Sequence, residues 1–217
     1  MTSHAVAERF DFADTLAHTK PDAPTLCEPW TAAQLAAHVI LRERSLTQAA
    51  NRLPVDAARR WSNDRIIHYA EGVPYDELVR RVHDGPPWWS PLAVPAVADR
   101  VNLLEYVVHH EDARRAGPEP SAPRDIGADR RMAIWSQLRL AARLTLRQAP
   151  VGVVLVDPHG EQAVARKPVD GQSVVVSGDP QTPHWPAAQA AGAGHCGVRI
   201  GKVDHDAARA FLRLLDT

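Results

Sequence analysis

NLLEYVVHHEDARR, residues Asn102 to Arg115, decides how the rest of this chain is read. It sets a carboxylate and an imidazole, Glu105 and His109, four residues apart in an apolar helical pattern. At 100° per residue, Val97, Val101, Leu104, Glu105, Val108, His109 and Asp112 share an arc of roughly 140°, about the width of a core-facing stripe. Three polar groups therefore point where a core is expected. A buried carboxylate without a partner is expensive or protonates, so Glu105 needs a cation, an Arg or a metal beside it. His110 falls on the opposite face with Leu103 and Tyr106, which predicts a surface or secondary-contact role for it.

A second stretch answers that need. TAAQLAAHVILRERSL, Thr31 to Leu46, puts Leu35, His38, Val39, Arg42 and Leu46 on one helical face. Packing the two helices through these faces brings His38 towards Glu105 and His109, a two-His, one-carboxylate set with open positions. Two readings compete at this point: a metal centre, or a hydrogen-bonded core His beside a Glu105–Arg42 ion pair. Asp112, one turn past His109, either orients a ligand His or faces a bound molecule, and an ion pair with Arg42 is the structural alternative. Arg42 is one turn past His38 and suits bidentate capture of a substrate carboxylate. The candidate catalytic residues are thus Arg42 and Asp112, and the candidate metal ligands His38, Glu105 and His109.

Four segments carry a family resemblance: TLCEPWTAAQLAAHVILRER from Thr25, YDELVRRVHDGPPWWSP from Tyr75, VNLLEYVVHHEDARRA from Val101 and APVGVVLVDPHG from Ala149. They resemble the DinB and mycothiol-dependent maleylpyruvate isomerase superfamily, in its subgroup of small proteins credited with metal binding. The likeness covers most of the first 160 residues and specifies no substrate. It implies a four-helix bundle, with ligands from the second helix and from a Glu-x-x-x-His or His-x-x-x-His pair on the third. Carried over, these are His38, Glu105 and His109. It also implies a divalent metal, zinc for preference with nickel as second choice, and mycothiol as the thiol. The expected partner is a small thiol or small anionic substrate, with a homodimer left open. The expected reaction is isomerisation of, or thiol transfer to, a small electrophile. The alternative is a metal- or ligand-binding protein without turnover.

Composition narrows the classes. The chain has 217 residues, 45% of them hydrophobic, and a net charge of -1, which predicts no pull towards nucleic acid or anionic membranes. Of the 25 Lys and Arg residues only Lys20, Lys167 and Lys202 are lysines, a high-GC signature that fits mycothiol producers. No signal peptide opens the sequence and no apolar run suggests a membrane span, so a cytoplasmic location is expected. Cys27 and Cys196 are too few and too far apart for a disulfide scaffold or a Cys-x-x-Cys zinc site. Cys27, with no His or Cys partner nearby in sequence, reads as a packed turn residue. His184, His195, Cys196 and His205 lack recognised zinc spacing, and nucleotide-binding and hydrolase motifs are absent.

Along the chain, periodicity predicts a first helix from about His4 to Thr19, carrying Val6, Phe10, Ala13, Leu16 and Ala17. A capping box at Thr31 and Gln34 starts the second helix, which should run to about Ala50. A long crossover follows, with weaker helices at about Asp56 to Glu71 and Tyr75 to His83, then the Pro-rich GPPWWSPLAVP, whose Trp88 and Trp89 could roof a pocket or pack a loop. The third helix is expected over Ala96 to Ala116 and a fourth, closing the bundle, over Gly127 to Gln148. Period-two patterning then predicts a hairpin around Asp157 to Gln162, a third strand in QSVVVSGDP and a last helix from Asp204. The expected organisation is mainly α: a DinB-like metal-binding bundle over 1–149, with a small α/β appendage over 150–217 that should dock on it. The Pro- and Gly-bearing 181–203 departs from the family pattern, and its packing is left open.

Overall fold

Helix termini in the first half of the chain are written locally. Ser3 caps the first helix, α1 (His4–Ala17), its hydroxyl accepting from Val6 N at 3.2 Å and donating to Asp99 Oδ1 at 2.6 Å. The predicted capping box opens α2 (Ala32–Arg44): Thr31 N donates to Gln34 Oε1 at 3.0 Å, and Gln34 N to Thr31 Oγ1 at 3.4 Å. α3 (Asp56–Gly72) and α4 (Tyr75–Asp84) match the expected weaker helices within a residue. The computed structural model describes residues 3–27, 29–44, 56–117, 121–122, 124–169, 171, 173–178 and 197–200. The expected extension of α2 to Ala50, the last helix from Asp204, and His184, His195, Cys196 and His205 lie outside them.

Two compact units emerge, Met1–Ala122 and Pro123–Thr217. In the first, α1 packs against α4, α5 (Pro95–Val101) and α6 (Leu103–Arg115), while α2 packs against α3 and α4. Phe12 and Leu16 of α1 and Leu103 of α6 are completely buried, each contributing about 1.5 to 3 kcal/mol by burial. α1 is rotated from the face its periodicity suggested, for Phe12 is buried and Phe10 lies on the surface. Gly85 ends α4 at φ 77°, a conformation that strains any residue with a Cβ, and a side chain there would also push aside the Arg9 guanidinium, whose Nη1 lies 2.1 Å from the Cβ position.

The single helix expected over Ala96 to Ala116 is broken at Asn102 into α5 and α6. The break is held by Arg42 from α2, whose Nη1 donates to Asn102 Oδ1 at 2.5 Å and whose Nη2 donates to the Val101 carbonyl at 3.0 Å. The stripe predicted to face the core splits accordingly. Val97 and Val101, on α5, stand on the surface, whereas α6 buries Leu103, Tyr106 and Val107 together with His109, His110 and Asp112.

The second unit holds α7 (Ala128–Thr145) and a sheet of β1 (Gly152–Val156), β2 (Gln162–Arg166), β3 (Ser173–Ser177) and β4 (Gly197–Ile200), in the order β2-β1-β3-β4. β1 and β2 form the expected hairpin, its turn organised by Asp157 Oδ1, which accepts from His159 N and Glu161 N at 2.9 and 2.7 Å. β3 runs parallel to β1 and antiparallel to β4, a strand the sequence did not suggest. The division between units falls at Ala122 and Pro123 rather than near Pro150. The helix expected to close the bundle belongs with the sheet: Trp135, Ala142 and Leu146 share one apolar core with Val153, Leu155 and Val174. The chain is thus mainly helical with a small sheet, and no helix among the described residues is long and apolar enough to cross a membrane.

Candidate metal centre

Three elements of the first unit converge on one imidazole. The turn before α2 is knitted by Thr25 Oγ1 donating to the Trp30 carbonyl at 2.8 Å and Trp30 N donating to the Cys27 carbonyl at 2.9 Å. Leu26 N ties that turn to α6 by donating to the Asp112 carbonyl at 3.3 Å. Trp30 then lies on His38 of α2, ring centroids 4.8 Å apart, and His38 meets His109 of α6 nearly edge-on at 5.0 Å.

His38, Glu105 and His109, the expected ligand trio, come together with one ligand atom from each within 4.8 Å of the others. Nε2 of His109 is 3.7 Å from Glu105 Oε2. Bond lengths of about 2.0 to 2.1 Å to a tetrahedral zinc put neighbouring N and O ligands about 3.3 Å apart, so the His109–Glu105 pair needs only a small contraction to share an ion, with His38 closing in from within 4.8 Å. Nδ1 of His38 is buried and makes no hydrogen bond, an orphaned polar atom that an ion or a ring rotation would satisfy. On the other side of His109, Nδ1 lies 3.1 Å from Asp112 Oδ2. This carboxylate–histidine pair fixes the tautomer that leaves Nε2 for an ion. The residues therefore fit a divalent ion, with Asp112 completely buried behind the ligand.

Protonation at the site follows from the same neighbours. Burial pushes the His38 imidazole down to about 3, helped by the charges on His109 and Arg42. For Glu105 burial raises the carboxyl, but the hydrogen bond from His109 and the Arg42 charge outweigh it and hold it at about 2. His109 is shifted upward: burial opposes its charge, and contacts with Asp112, Cys27 and Glu105 overcome that opposition. An ion entering the trio competes with a proton for His109 Nε2.

The remaining expected site residues are placed differently from one another. Arg42 reaches the site, but its guanidinium is committed: Nε lies 3.4 Å from Glu105 Oε2 and the two Nη atoms hold the helix break. That is the structural role weighed against substrate anchoring. His110 is buried, not at the surface, because α1 covers the opposite face of α6. Its Nδ1 lies 2.9 Å from Glu8 Oε1 and its Nε2 2.7 Å from Thr15 Oγ1. Trp88 and Trp89 are exposed and roof nothing among the described residues. An open cleft of about 400 Å³ is instead lined by Leu41, Trp61, Asp64, Arg65, His68 and Tyr69, with Leu41 one turn along α2 from His38.

Sequence reasoning missed Cys27. Its Sγ donates to Asp112 Oδ2 at 2.8 Å and lies 3.8 Å from His109 Nδ1, so it has the His partner its local sequence lacks. Its position in the turn leading directly into the helix that carries His38 was the only available hint. No family model, curated protein or solved structure matches this chain.

Proposed function

We propose that this chain is a DinB-like metal protein in which His38, Glu105 and His109 hold a divalent ion, zinc first and nickel second, for thiol chemistry on a small electrophile. The observation that carries this reading is the convergence of two imidazoles and one carboxylate from α2 and α6 within 4.8 Å, with His38 Nδ1 left without a hydrogen bond. A closed structural site uses four protein ligands, whereas three leave a position for an exogenous group. A bound ion supplies Lewis acidity and lowers the pKa of a thiol presented to it. Asp112 holds the imidazole of His109, Arg42 balances the charge of Glu105, and Trp30 covers His38. The thiol of this reading is mycothiol and the reaction an isomerisation or thiol transfer; both, like the DinB-like fold, rest on sequence resemblance.

One observation favours a second reading, ion or ligand binding without turnover. The three guanidinium nitrogens of Arg42 already have partners within the protein, which removes the expected anchor for a substrate carboxylate.

Metal analysis of protein purified without a His-tag, followed by calorimetric titration with zinc and then with mycothiol, tests both. An equimolar ion, lost in His38→Ala and His109→Ala variants that keep their helical signal, is expected. Retention of full metal content by both variants would overturn the centre. Zinc binding without any mycothiol response would leave the binding protein as the surviving reading.

A further inference from the structure

An imidazole has two nitrogens, and here they open onto different ligand groups. Nε2 of His109 faces Glu105, while Nδ1 faces Asp112 Oδ2 at 3.1 Å and Cys27 Sγ at 3.8 Å; Sγ and Oδ2 are themselves 2.8 Å apart. A thiol, an imidazole and a carboxylate from two elements 85 residues apart thus surround one point. A tetrahedral ion with bonds of about 2.3 Å to sulfur and 2.0 to 2.1 Å to nitrogen and oxygen separates such ligands by about 3.3 to 3.6 Å. The two distances from Nδ1 already lie within a few tenths of an ångström of those values. The Sγ to Oδ2 distance is shorter, so these two atoms would have to move apart by about 0.7 Å to hold an ion, which would replace the thiol hydrogen between them.

We propose that Cys27, Nδ1 of His109 and Asp112 form a second site, for a thiophilic ion such as cadmium or cuprous copper, which competes with the first centre for His109. Thiolate sulfur selects soft ions, whereas the first trio offers only imidazole and carboxylate. Cys27 is half-buried, so a small ion can approach it from solvent. On binding, the Cys27 S–H proton and the proton on His109 Nδ1 leave to solvent, Sγ and Nδ1 each give an electron pair to the ion, and no oxidant takes part. His109 then keeps its hydrogen on Nε2, directed at Glu105, which is the tautomer the first centre cannot use. An ion in either pocket therefore weakens the other, by the same factor in both directions. The competition rests on the proposed first centre; the thiolate site does not.

Cadmium is the probe, in a Cys196→Ser background that leaves Cys27 as the only thiol. Ultraviolet thiolate-to-cadmium charge-transfer absorption should saturate at one ion per chain. It should vanish in the added Cys27→Ser or Cys27→Ala variant and survive in His38→Ala. In the same background, without further substitution, cadmium should protect Cys27 from alkylation. Saturating zinc should weaken cadmium binding by about tenfold or more. No charge-transfer band, a band that persists without Cys27, or alkylation unaffected by cadmium would overturn the site. Zinc and cadmium binding independently would overturn the shared imidazole. A cadmium band in protein that binds no zinc would fail the first centre alone, and zinc binding without the band would fail the second alone.

Discussion

Oδ2 of Asp112 lies 3.1 Å from Nδ1 of His109, and this contact decides which ring nitrogen is left for an ion. Asp112 is completely buried, so its charge acts on His109 and Cys27 with little screening. A carboxylate in this position makes a ligand imidazole more basic and holds its ring in place.

Asp112→Asn should keep the helix but lose that effect. Zinc affinity is expected to fall about 10- to 100-fold, the range for partners that orient a metal ligand. Calorimetric titration of the variant checks it, and unchanged affinity would show that the contact does not orient His109.

Adjacent histidines should separate cleanly. His110 bonds Glu8 and Thr15 on α1, away from the trio. His110→Ala should lower stability by about 1 to 3 kcal/mol through the loss of buried hydrogen bonds, and leave zinc affinity within about tenfold of the parent. Denaturant melts and metal titration together decide; a loss of zinc as large as that of His109→Ala would reverse the assignment of faces.

Arg42→Met removes the clamp on the break between α5 and α6 and the partner of Glu105. A stability loss of about 1 to 3 kcal/mol is expected, with ion content retained, because Glu105 is partly exposed and a nearby cation opposes an incoming dication. Thermal melts and metal analysis check this. Near-parental stability with lost response to anionic ligands would instead restore the substrate-anchoring role.

Glu43 supplies a pH signature separate from the metal site. It is buried, accepts from the Tyr106 hydroxyl, and burial raises its carboxyl to about 7 despite that bond and nearby arginines. Because the folded pKa exceeds the ordinary value of 4.5, its contribution is complete below pH 4.5 and is lost as pH rises through about 7. The loss is on the order of 3 kcal/mol. Glu43→Gln keeps an acceptor for Tyr106 without the charge, so its stability profile between pH 5 and 8 should be flatter than the parent's. Parallel profiles in chemical denaturation would show that Glu43 does not titrate in that window.

What was legible in sequence is what short-range geometry controls. The Thr31 and Gln34 capping box, the limits of α4 and the hairpin at Asp157 depend on residues within a few positions, where backbone periodicity and side-chain reach are nearly fixed. The separation of Glu105 and His109 from His110 is likewise a matter of helical angle. Tertiary packing decided the rest, because periodicity names a face of a helix and not how many neighbours cover the others. α6 is buried on two sides, so His110 became a core residue against Glu8, 102 positions away. Arg42 became a clamp because the carbonyl of Val101 and the side chain of Asn102 lie across from it, 59 and 60 positions on. α7 carries an apolar stripe that would suit a bundle as well as a sheet, and its core is shared with Val153 and Val174. Cys27 meets Asp112 across 85 positions, a distance over which no spacing rule operates and only the folded chain brings sulfur, nitrogen and oxygen together.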